Sequence, residues 1–254
     1  MQSFSTLKQA ICTLALLCMA IMLCTTLEAQ FSVGLEGGFN KNYLVTNNAN
    51  RAFTNYNPAY GFSIGVPVQY KVNDWLAIAA DPSFIQKNYE QDRSSFFAGI
   101  YEQSKNSYIT LPLTAHFLFG GRRLKGFAEA GLYGAFWITG KVKGAMPDIL
   151  DQGSSASSGN VYGYDNIYSY NEKYVFDGRR DNRLEAGWVG GLGISYAVNS
   201  RFQVYTAARL LYSFTDQQKN YETNQTPRYN STYGINAGVM MQLPCKKNKR
   251  NRTS

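Results

Sequence analysis

Over 59–91 (AYGFSIGVPVQYKVNDWLAIAADPSFIQKNYEQ) the chain alternates with period two on both sides of Asn73-Asp74. Phe62, Ile64, Val66, Val68, Tyr70 and Val72 share one parity, and Gly61, Ser63, Gly65, Pro67, Gln69 and Lys71 share the other. Successive side chains of a strand point to opposite faces, so two such runs around a tight polar turn predict an antiparallel hairpin with one apolar face. The same unit recurs along the chain. Strands are predicted over 31–40, 60–72, 75–91, 107–119, 126–143, 182–198, 201–214 and 231–243, eight in all. In the fourth, Ile109, Leu111, Leu113, Ala115, Phe117 and Phe119 oppose Tyr108, Thr110, Pro112, Thr114 and His116. The seventh aligns Phe202, Val204, Thr206, Ala208, Leu210 and Tyr212, and the eighth aligns Tyr233, Ile235, Ala237, Val239, Met241 and Leu243.

The connections alternate long and short, with polar stretches at 45–57, 92–106, 144–181 and 215–230 and tight turns at 73–74, 120–125 and 199–200. Up-and-down barrels of the bacterial outer membrane have this asymmetry, with short periplasmic turns and long extracellular loops. Aromatic pairs flank the short turns (Tyr70/Trp75, Phe119/Phe127, Tyr196/Phe202). A second set, Tyr43, Tyr89, Tyr108, Trp137, Trp188, Phe214 and Tyr233, lies near the long loops. Two aromatic belts are expected at the two interfaces of a membrane-spanning barrel. A soluble ligand barrel would keep apolar residues inside, whereas here the inferred interior carries Gly, Ser, Gln, Glu and Arg. The expected fold is therefore all-β: an eight-stranded antiparallel transmembrane barrel, closed so that no strand edge meets lipid.

Composition agrees with this reading. The 254 residues include 19 Tyr and 23 Gly, with 17% charged. Lys8 followed by the apolar run at 10–23 and then TTLEAQ predicts a secretory signal peptide over 1–29, too short for a membrane anchor. The barrel domain is then 30–244 and a basic tail 245–254. Three of four cysteines, Cys12, Cys18 and Cys24, fall in the signal segment, leaving Cys245 without a partner for a disulfide. Leu23 before Cys24 argues against a lipoprotein site. Of the net charge of +8, five positive charges come from Lys246, Lys247, Lys249, Arg250 and Arg252. A solvated tail accounts for them, and nucleic acid is not an expected partner.

The segments GLEGGFN (34–40), GFSIGVPVQY (61–70), SYITLPL (107–113), FAEAGLY (127–133) and GGLGISY (190–196) resemble the PorT-like outer-membrane β-barrel family, abundant in Bacteroidetes. The resemblance spans 31–243 and implies location in the outer membrane of a Gram-negative bacterium. It also implies outer-membrane lipid, including lipopolysaccharide, as surroundings, and an envelope or secretion-machinery protein as partner. Many such barrels end on an aromatic residue, whereas here PCKKNKRNRTS follows Leu243.

Chemistry-bearing residues are few. The sole histidine, His116, lies level with Glu129 across the 120–125 turn, but no G-x-S-x-G accompanies it. One His and one tail Cys do not make a tetrahedral metal site. No cofactor is expected. Glu36, Asp81, Glu129, Arg183, Glu185 and Arg209 fall on the inferred inner faces. In an eight-stranded bore, just wide enough for side chains, they form either a salt-bridged plug around Arg209 or a narrow ion path; the bore favours the plug. Tyr162, Tyr164, Tyr168, Tyr170 and Tyr174, set among Asn, Ser and Gly in the longest loop, suggest a binding loop or a mobile shield. GSSASSG (153–159) reads as a loop tip, and the sequons at Asn224 and Asn230 as coincidence. The expected function is a non-enzymatic barrel with a loop-mediated envelope, adhesion or secretion-related role. The alternatives are a small-solute or ion channel and an enzyme centred on His116.

Overall fold

The computed structural model describes residues 31–47, 53–95, 98–147, 167–222 and 225–243. The signal segment, the 153–159 run, Asn224, Tyr162, Tyr164 and the basic tail lie outside them. Twelve strand segments are present: β1 (Phe31–Val45), β2 (Thr54–Gly65), β3 (Val68–Lys71), β4 (Leu76–Ala80), β5 (Ser83–Gln86), β6 (Tyr89–Arg93), β7 (Tyr101–Gly120), β8 (Leu124–Pro147), β9 (Ile167–Lys173), β10 (Leu184–Ala197), β11 (Phe202–Ser213) and β12 (Tyr229–Gln242). All pairings are antiparallel, and they close into a ring of eight strand positions. β2 with β3 occupies the second position, β4 with β5 and β6 the third. The ring closes where β1 pairs with β12 from Ser32↔Gln242 to Val45↔Tyr229.

Two of the predicted strands are interrupted. Proline has no N–H to give the ladder, and Pro67 separates β2 from β3 while Pro82 separates β4 from β5. The pairing survives around the gaps, because Pro67 O accepts from Gly34 N at 2.9 Å and Pro82 O accepts from Val66 N at 3.0 Å. Two of the tight turns share a device. Asn73 Oδ1 accepts from the N–H groups of Trp75 and Leu76, and Asn199 Oδ1 from those of Arg201 and Phe202. The third turn uses Gly120 at φ +112°, a left-handed conformation that glycine adopts without strain.

Alternation sets the environment. Leu35 is 68% exposed, Leu192 66% and Ile235 68%, and the same parity is apolar around the ring. Such a continuous band belongs in lipid rather than water. No helix among the described residues is long and apolar enough to cross a membrane. The crossing is made by strands.

At the end away from the short turns, β7 and β8 outrun the ring. They stay paired from Tyr108↔Trp137 to Tyr101↔Ala145, with a register shift at Ser107/Tyr108, and β6 and β9 flank them. The expected loops at 92–106 and 144–181 are therefore partly strand. Long, regular, polar-faced hairpins carry weak hydrophobic alternation, so periodicity alone underestimates them.

The belts also need correction. Tyr43, Trp188, Phe214 and Tyr233 face outward near the long loops, and Trp75, Phe119, Tyr196 and Phe202 near the short turns. Tyr89, Tyr108, Trp137 and Phe127 instead point inward and are buried. They sit near strand ends in sequence, but their parity is that of the interior.

Candidate functional site

The interior holds two polar layers. The lower one is built on Arg209, whose neighbours in register on β10 and β12 are Gly191 and Gly234. A Cβ at Gly191 would lie 2.6 Å from Ala208 O and 2.7 Å from Glu129 Oε1, so glycine there leaves room for the Glu129–Arg209 pair. Arg209 donates to both oxygens of Glu129 through Nε and Nη2, and to Glu36 Oε1 through Nη1 at 2.9 Å. Its Nη2 lies 2.9 Å from Asp81 Oδ2. Glu36 also accepts from Tyr205 Oη at 2.7 Å and from Asn236 Nδ2 at 3.3 Å. The planar fork of guanidinium suits this task, facing carboxylates on β1, on β8 and in the break between β4 and β5.

His116 pairs directly with Glu129 in the β7–β8 register. Its Nε2 is 3.1 Å from Glu129 Oε2 and 2.9 Å from Thr114 Oγ1, while Nδ1 is 3.3 Å from Gln69 Nε2. The ring stacks on Phe127 at 5.3 Å between centroids. In a nucleophile–His–acid relay the acid holds one ring nitrogen and the nucleophile meets the other. Here the hydroxyl and the carboxylate meet the same nitrogen, and Thr114 is buried. Asp81, His116 and Glu129 bring potential metal ligands within 4.8 Å of one another. Both carboxylates, however, already face the Arg209 charge, which opposes a cation.

The upper layer is built on Glu185. It accepts from Lys87 Nζ, from Tyr133 Oη at 2.6 Å and from Asn230 Nδ2 at 2.7 Å. The Lys87 ammonium lies 4.8 Å from the Tyr133 ring centre and 5.2 Å from that of Tyr108. Tyr108 Oη accepts from Gln217 Nε2 at 3.1 Å, which ties the layer to the segment before β12. Lys87 was missing from the charges read in the sequence. Its parity with Asp81, Ser83 and Ile85 was the signal, obscured by the break at Pro82.

Arg183 belongs to neither layer. Trp137, Tyr174 and Phe176 fill the mouth above Glu185 with stacked and edge-on rings 4.9–5.5 Å apart. The guanidinium turns away, donating to Trp137 O at 3.0 Å and covering Phe136 and Phe176. Parity failed because residue 183 precedes the first residue of β10. Two small cavities, about 20 Å³ between the layers and about 30 Å³ directly beneath Arg209, have room for a water or two each.

Of the loop tyrosines, Tyr168 is exposed on β9. Tyr170 Oη donates to Glu102 Oε2 at 3.1 Å, and burial beside that carboxylate pushes its phenol up to about 12. Tyr174 Oη donates to Asp181 and accepts from Arg180 Nη2; burial and the Asp181 carboxylate raise its pKa. Tyr174 therefore closes the mouth instead of presenting a free ring.

The family described as outer membrane protein beta-barrel domain matches residues 25–219. No curated protein matches. Among solved structures, the chain is similar to Neisserial surface protein A (14% identity, TM-score 0.45, covering 84% of this chain and 97% of that one). It is also similar to OprG from Pseudomonas aeruginosa (10%, 0.48, 85% and 98%). A third is the outer membrane protease OmpT from Escherichia coli (8%, 0.48, 84% and 97%). With more than half of its length matched, the chain belongs to the outer membrane protein beta-barrel domain family, and its place is the outer membrane of a Gram-negative bacterium.

Proposed function

We propose that this barrel is non-enzymatic, that its lumen is a structural plug, and that it acts by contact through its extracellular side. The observation that carries the reading is the pairing of two features. Side chains close the bore at two levels, while β7, β8 and β9 continue beyond the ring as a supported platform. A channel has no use for a buried Arg209 engaged by three carboxylates, and the His116 contacts lack the two-sided geometry of a relay. The PorT-like resemblance favours an envelope or secretion-related partner over a solute. Outer-leaflet lipid, lipopolysaccharide included, fits the outward face, where Lys41 Nζ lies between the rings of Tyr43 and Tyr60 at 5.7 and 5.3 Å.

Deleting 151–166 tests the contact role, because it leaves β9 and the Tyr174 closure in place. The shortened protein should still shift on unheated gels yet lose crosslinked partners from intact envelopes. A folded deletion that keeps every partner and phenotype would refute the assignment to this loop.

A further inference from the structure

The periplasmic mouth is predominantly cationic. The ends of all three short hairpins contribute: Lys71 at the end of β3, Arg122 and Arg123 in the β7–β8 turn, Lys125 at the start of β8, and Arg201 in the β10–β11 turn. Together they line a cavity of about 250 Å³ below the Arg209 layer. Asp74 is the one acid in 66–76, 118–127 and 195–203. It pairs with Lys71 at 2.6 Å and is otherwise open to solvent. Among the described residues no acid lies within ion-pair distance of Arg122, Arg123, Lys125 or Arg201. The other mouth is different, since Arg180 and Arg179 there have Asp181 and Asp177 beside them.

Direction matters as much as sign. Lys71 and Lys125 have the inward parity of Gln69 and Phe127, with the apolar Val72 and Leu124 as outward neighbours, and Arg201 lines the same cavity. The charges thus face into the barrel mouth, not sideways toward headgroups of the surrounding leaflet. A concave site with low-dielectric walls concentrates such a field. Gln203 adds a neutral group able to bond a peptide backbone. Among the described residues only Asp74 supplies any counter-charge here; β12 ends at this cavity, and five cations follow at 246–252 in sequence.

We propose that this vestibule is a binding site for an acidic peptide segment, rich in Asp or Glu, presented by a periplasmic protein. One or two carboxylate side chains fill the cavity.

The test uses full-length protein refolded in zwitterionic detergent and a fluorescent deca-glutamate peptide read by anisotropy. Saturable binding should weaken steeply with salt, and Lys71→Gln/Lys125→Gln/Arg201→Gln should reduce affinity by about tenfold or more. Should the triple variant fail the heat-shift test for folding, Arg122→Ser/Arg123→Ser in the turn supplies the same comparison. Neutralising the five tail cations should cost less than about threefold, since the mouth residues carry the site. Four outcomes overturn the proposal: no binding at low salt, wild-type affinity in the folded mouth variants, abolition by the tail variant alone, or displacement by inorganic phosphate as effective per charge as by unlabelled peptide. Binding confined to vesicles containing phosphatidylglycerol would assign the charges to lipid and overturn it as well.

Discussion

Replacing Arg209 with alanine removes the one cation that Glu36, Asp81 and Glu129 share. Each hydrogen bond to a charged partner is worth about 1.5–3 kcal/mol, but losses at a single side chain do not add, because the carboxylates relax and admit water. Breaking a buried ion pair by removing one partner, at about 3–5 kcal/mol, is the better guide. Wet, screened charges would instead give about 0–1 kcal/mol. The distinction is measurable by urea unfolding in vesicles, followed by tryptophan fluorescence from Trp75, Trp137 and Trp188. With a slope of about 1–3 kcal/mol per molar urea, a dry cluster predicts a midpoint lower by about 1 M or more. Adding Glu129→Gln to Arg209→Ala should restore part of the loss, since it removes one of the stranded charges. An unchanged midpoint in the single variant would refute the claim that the layer is sealed.

Lys87→Met should cost a similar ~3–5 kcal/mol by stranding Glu185, and Lys87→Met/Glu185→Gln less than the sum of the singles; the same urea series checks both. Gly191→Leu should prevent heat-shift folding or lower the midpoint by more than Arg209→Ala does, because its side chain would occupy the Glu129 carboxylate position. Asn199→Ala should cost about 1 kcal/mol by freeing the Arg201 and Phe202 N–H groups in the turn, read as a smaller midpoint shift with unchanged slope.

The eight strand positions were legible because alternation with period two persists wherever one face meets lipid. It weakens in the β7–β8 extension: 101–106 are mostly polar on both faces and read as loop, as do 144–147, while 126–143 read as strand. Parity was a better guide than proximity to a turn. Applied strictly, it places Tyr108, Trp137 and Phe127 inside, and it would have found Lys87 two steps beyond Ile85. Applied past a strand end it misleads, as at Arg183. The partners within each layer were not readable, because contacts such as Glu36 to Arg209 or Asn230 to Glu185 join residues distant in sequence across a closed ring. Alternation sets which face a residue takes, not what it meets on the far wall.

The closed lumen is tested most directly by conductance. Wild-type protein reconstituted in planar bilayers should leave the current at the level of the bare membrane over a broad range of voltage, with any stepwise opening appearing first in Arg209→Ala. Regular single-channel steps from the wild-type protein, abolished by removing Glu36 or Glu129, would contradict the plug and make the same residues an ion path.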